Sequence, residues 1–173
     1  MILSQFDPEK RALINPSDIV TSLPQFPKTV VTCFARTTFA RILVEVPHRQ
    51  IAKTSMANLE IPVYELDFHG EKIGFFNSYV GASSCVAVLE DIIAMGAENL
   101  LVFGTCGVLD NSIKETSIII SNSAIRDEGT SYHYAPATNE IALNPTYRER
   151  FKNFLSHQSI SYTEGKVWST DGI

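Results

Sequence analysis

The chain has 173 residues, 45% hydrophobic and 19% charged, the proportions of one globular domain (1–173) with a sizeable core rather than of a disordered or repetitive chain. Lys and Arg number 14 against 19 Asp and Glu, and the basic residues are scattered, so the formal charge of -5 excludes a nucleic-acid footprint. No window approaches about 18 unbroken apolar residues, and Asp7, Glu9 and Lys10 stand where a signal peptide would be apolar, so a soluble cytoplasmic protein with no membrane partner is expected.

In chain order, Thr29-Val30-Val31-Thr32-Cys33-Phe34 is short and β-branched, which predicts a strand buried on both faces. Phe39, Ile42, Leu43 and Val46 follow at helical spacing, and Pro47 ends that helix, leaving His48-Arg49 as a solvated helix end or an anion contact across a subunit interface. Two strand-like runs, 61–68 and 72–80, flank His69-Gly70-Glu71 and predict a hairpin. Ser83 then reads as the N-cap of a helix over 83–95, apolar on most faces and closed by Gly96. Residues 100–103 predict a second doubly buried, central strand. It ends in Gly104-Thr105-Cys106-Gly107, small residues that let the backbone turn tightly where open α/β sheets bind ligands.

Residues 116–124 predict a further strand leading into 126–134, nine residues able to hydrogen-bond or stack around Gly129. Asn144-Pro145 caps a helix with Tyr147, Phe151, Phe154 and Leu155 on one face, and 160–168 predicts a last strand, with Trp168 read as core. Cys33, Cys85 and Cys106 are an odd number in apolar surroundings with no ligand spacing, which predicts buried free thiols, no disulfide and no metal. Cys106 has no His near it in sequence to make it a nucleophile.

Taken in order, Tyr79-Val80-Gly81-Ala82-Ser83, a helix closing in Met95-Gly96-Ala97, Val102-Phe103-Gly104-Thr105-Cys106-Gly107, the segment 126–134 and Trp168-Ser169-Thr170-Asp171 resemble the nucleoside phosphorylase family, nearest its uridine phosphorylase-like branch. The resemblance spans roughly 29–173. It implies an α/β fold, a single domain with a mixed, partly barrel-like central sheet flanked by helices, and a homo-oligomer, a dimer or a hexamer of dimers. The implied reaction is reversible phosphorolysis, in which inorganic phosphate as co-substrate attacks C1′ of a nucleoside and releases the base and ribose 1-phosphate, with no cofactor. Uridine-like resemblance in 126–131 favours a pyrimidine nucleoside.

Carried over by position, Thr105 matches the family residue that hydrogen-bonds phosphate and ribose, and Gly104, Gly107 and Gly81 match the glycines that let backbone approach them. Arg126, Glu128, His133 and Asp171 fall on the base side. Arg126 to Glu128 could equally be a solvated loop with an internal ion pair, and His133 a packing residue rather than a base-stacking or proton-handling group. The sequence also departs from the family. Val102 stands where an Arg is usual, no Gly-Asp-Pro turn follows the first strand, leaving Arg36 or Arg41 as the stand-in, and a third arginine position falls near Ala57. Relative to the family the chain is expected to be C-terminally incomplete, ending before the segments that grip the ribose hydroxyls and the base. Hydrolysis in place of phosphorolysis, or a ligand-binding member without turnover, are the competing readings.

Overall fold

The computed structural model describes residues 2–114 and 118–172 and forms two compact units, Pro8–Thr105 and Met1–Asp7 with Cys106–Ile173. Both are mixed α/β, the fold class expected from sequence.

In the first unit a short helix α1 (Pro16–Ile19) precedes β1 (Thr29–Cys33), α2 (Arg36–Glu45), β2 (His48–Met56), β3 (Leu59–Phe68), β4 (Glu71–Asn77), α3 (Ala82–Met95) and β5 (Asn99–Phe103). The strands form one sheet in the order β2-β3-β4-β1-β5, with β1 parallel to both β4 and β5 and the β2-β3-β4 meander antiparallel. Strand alternation sends successive side chains to opposite faces. One face buries Cys33, Leu66 and Phe75 against Phe39, Ile42 and Leu43 of α2. The other buries Val30, Ile61, Val63 and Phe76 against Val88, Ile92 and Met95 of α3. Each such fully buried aliphatic or aromatic side chain contributes about 1.5–3 kcal/mol.

Phe68 pairs with Glu71 across His69 (φ 55°) and Gly70 (φ 85°), the two-residue turn with both φ positive that follows the twist of a hairpin. Four expectations need correction. His48 and Arg49 open strand β2 instead of ending a helix, because Arg49 pairs with Glu65 on β3. Helix α3 starts at Ala82 with Gly81 (φ 108°) as its N-cap, so Ser83 sits inside the first turn. That helix buries one face only, and Ile93 is exposed, because it rests on a single sheet face. Strand β5 is an edge strand of this unit's sheet, since among the described residues it pairs with β1 alone, and Leu100 to Phe103 are each 38–44% exposed.

In the second unit β6 (Ile118–Asp127) is the centre of a three-stranded sheet, β7-β6-β8, antiparallel to β7 (Glu140–Ala142) and parallel to β8 (Tyr162–Thr170). Thr116, at the start of the run predicted as this strand, lies outside the described residues. Helix α4 (Pro145–His157) is capped by Asn144, whose side chain accepts from the backbone N–H of Thr146 and Tyr147. Leu155 is buried, while Tyr147, Phe151 and Phe154 of the same predicted face are exposed. Trp168 is 54% exposed and so is not core, its indole N–H being spent on Asp127. Of the three free thiols only Cys33 is buried, and Cys106 is exposed in irregular chain after β5. Among the described residues no helix is long and apolar enough to cross a membrane.

Candidate functional site

In the first unit the three parallel strands β4, β1 and β5 lie side by side and end at the same edge, with Asn77, Cys33 and Phe103 in register. Helices α2 and α3 leave that edge on opposite faces of the sheet, the topological arrangement that opens a crevice at the strands' carboxyl ends. Four predicted residues follow directly from it: Arg36 after β1, Gly81 after β4, and Gly104 and Thr105 after β5.

Local physics explains each exit. The carbonyl of Cys33 accepts two hydrogen bonds, from Asn77 Nδ2 at 2.7 Å and from the Ser78 backbone N–H at 2.9 Å, which ties the ends of β1 and β4 together. The buried Thr32 hydroxyl adds a third tie by donating to the Phe76 carbonyl at 2.9 Å. Glycine suits position 104, because a Cβ there would stand 2.9 Å from Cδ2 of Phe34 and force that ring to shift, so the exits of β5 and β1 lie against each other. Gly81, at positive φ, turns the chain into α3 at a conformation L side chains rarely adopt.

The first turns of α2 and α3 both open at this edge. The first intrahelical bonds are Phe39 N–H to Ala35 and Cys85 N–H to Gly81, so the preceding amides of each helix have no intrahelical acceptor. Arg36, exposed in the first turn of α2, adds a guanidinium there. Arg41 stands further along the helix and pairs with Glu45 at 3.9 Å, so Arg36 is the basic residue of this edge. Among the described residues the edge therefore offers amides without an intrahelical acceptor, two helix N-termini, one arginine and the Thr105 hydroxyl, a donor set suited to an anion. Burial raises the Cys33 thiol above its ordinary range and keeps it protonated, so it supplies no nucleophile. Gly107 belongs to the second unit, with open space where a Cβ would stand.

Asn77 was missed from sequence. Its signal was an amide placed directly after the apolar Phe75-Phe76, where β4 stops.

In the second unit the residues expected on the base side gather at the carboxyl ends of the parallel strands β6 and β8. Asp171 Oδ2 accepts the Gly129 N–H at 3.1 Å, and the Asp171 N–H donates to the Asp127 carbonyl at 3.1 Å. Glu128 Oε2 accepts the Ser131 N–H at 2.9 Å and so starts the 3₁₀ turn Thr130–His133. His133 is exposed on that turn. Arg126 points inward, 6% exposed, with carbonyl and hydroxyl partners in place of the internal ion pair.

Comparison with known proteins bears on this arrangement. Residues 30–173 match the model of the phosphorylase superfamily. The uridine phosphorylase of Treponema pallidum (strain Nichols) is 33% identical over 101 residues, 58% of this chain and 39% of that protein. Among solved structures, uridine phosphorylase from Vibrio fischeri ES114 superposes with a TM-score of 0.75 at 24% identity, over 88% of this chain and 62% of that one. Purine nucleoside phosphorylase from Toxoplasma gondii gives 0.74 at 13% identity, over 96% and 65%. The chain thus spans less than two thirds of each of these relatives. With the family model covering most of its length and the fold shared with both structures, the chain belongs to the phosphorylase superfamily, as a nucleoside phosphorylase family member.

Proposed function

We propose that the protein carries out phosphorolysis of a nucleoside, with inorganic phosphate as co-substrate and no cofactor, and that its nucleoside is a pyrimidine one. The observation that carries this is the shared carboxyl edge of β4, β1 and β5, where Arg36, Gly81, Gly104 and Thr105 follow three neighbouring parallel strands. Phosphate is held by backbone amides and Arg36, and Thr105 Oγ donates to it. Holding the anion in this way places its nucleophilic oxygen and stabilises the positive charge that develops on the sugar as the bond to the base breaks. Loop 128–138 is assigned to the base side, with His133 exposed on it. The kinship with uridine phosphorylases supports the pyrimidine preference.

A specific observation favours hydrolysis as the second reading: Val102 occupies an arginine position of the family, so the anion has fewer charged partners. Base release from uridine, inosine and adenosine, with and without phosphate, separates the two. Phosphate-dependent release, fastest from uridine, is expected, and Thr105→Ala should lower it about 100-fold, the usual loss for one oxyanion-type donor. Release indifferent to phosphate means a nucleosidase, and no release from any nucleoside means a binding protein.

A further inference from the structure

We propose that Arg126 is a positioning residue, which holds loop 128–138 in shape from inside the fold and touches no ligand itself. The proposal rests on the assignment of that loop to the base side. Arg126 ends the buried part of β6 at 6% exposure, and no carboxylate pairs with it among the described residues. Its charge is met instead by oxygens of a single loop: Nε donates to Ser131 Oγ at 2.8 Å, Nη1 to the Pro136 carbonyl at 2.6 Å and to Thr138 Oγ1 at 3.0 Å, and Nη2 to the Ala135 carbonyl at 3.2 Å. The guanidinium also lies over the Tyr132 ring, 4.1 Å from its centroid, and the Tyr132 hydroxyl donates back to the Arg126 carbonyl at 3.2 Å.

The geometry explains why an arginine is needed. A buried cation without a counter-ion is costly unless oriented dipoles replace its water, and here four donors of one rigid fork tie residues 131, 135, 136 and 138. A lysine ammonium on a flexible stem cannot span those directions. The aromatic side chains exposed on the loop are His133 and Tyr134, so what the loop offers a ligand depends on a residue that faces away from it.

The test compares wild type with Arg126→Lys, which keeps the charge and loses the fork. Chymotrypsin cleavage after Tyr132 and Tyr134 should rise about tenfold, since cleavage follows the population of the opened loop. In base-release assays the nucleoside KM should rise by a similar factor, about tenfold, with the phosphate KM unchanged and kcat within about twofold. Ser131→Ala removes one tie and leaves the charge in place, so a smaller rise in cleavage supports the proposal even where Arg126→Lys fails to fold. A loop that stays as resistant as wild type in a folded variant overturns it, as does a phosphate KM that rises together with the nucleoside KM. Should the wild type release no base, the functional reading falls, and the cleavage comparison still decides whether Arg126 holds the loop.

Discussion

Glu65 sits on β3 with its side chain 9% exposed, yet it remains a carboxylate because Arg49 Nε donates to it at 3.0 Å and Lys72 Nζ lies 3.4 Å away. The Arg49 hydrogen bond, helped by the charges of Arg49 and Lys72 and opposed by burial, lowers its pKa below the ordinary 4.5. A carboxylate whose folded pKa is depressed stabilises the protein above the unfolded value, and that contribution disappears as pH falls through the folded one. Glu65→Gln should therefore cost about 1 kcal/mol at neutral pH, the scale of a pair with exposed cations. The gap between the two proteins should close below pH 4.5, as thermal melts from pH 7 to pH 3 would show. An equal gap at every pH would mean that the substitution acts through packing. At this scale the sequence was readable where a residue type constrains backbone: Gly81 and Gly104 were picked out, and a positive φ and a close approach to Phe34 account for them. It was unreadable for Arg126. Arg-Asp-Glu looks polar and outward, and the irregularity between Ser121 and Ser123 interrupts the alternation from which its side could have been counted.

Elements announced by punctuation were legible, and those without it were not. His69-Gly70 marked its hairpin and Asn144-Pro145 its helix, because both act through local backbone geometry. Strand β2, His48-Arg49-Gln50-Ile51-Ala52-Lys53-Thr54-Ser55-Met56, passed unseen, since its only buried residue is Thr54 and its tight turn into β3, Ala57-Asn58, puts Ala57 at φ 51° with no glycine to mark it. Strand β5 was found but misplaced, because an apolar run reports strand type and says nothing about whether a second neighbour pairs with it. Helix α4 tests the local kind of information directly. Asn144 Oδ1 accepts from Thr146 N–H at 3.0 Å and Tyr147 N–H at 3.5 Å, satisfying amides that the helix itself leaves open. Asn144→Ala should cost about 1 kcal/mol, lowering Tm by about 2–4 °C. Asn144→Asp should keep the wild-type Tm, since a carboxylate caps equally well and favours the positive end of the helix. A melt that shows no loss with alanine would mean that packing around Leu155 alone sets the stability of α4.

Over the whole molecule, the two edges of the five-stranded sheet are treated differently. The β2 edge carries His48, Arg49 and Lys53 and a register irregularity between Gln50 and Ala52, features that discourage another strand from pairing. The β5 edge is Asn99-Leu100-Leu101-Val102-Phe103, with no charged residue and no bulge, and its four apolar side chains remain 38–44% exposed. An open edge with apolar side chains is a template for association, and an exposed apolar patch of this kind usually marks an interface. Self-association of the protein through this edge is therefore expected. Sedimentation velocity should show a weight-average coefficient that climbs with concentration and reaches at least a dimer at tens of micromolar. Leu101→Lys places a charge on the edge at a side chain already 44% exposed, and should return the protein to monomer with an unchanged far-UV spectrum. A wild type that stays monomeric at those concentrations would remove the edge from consideration. An oligomer that survives Leu101→Lys would move the interface to another surface of the molecule.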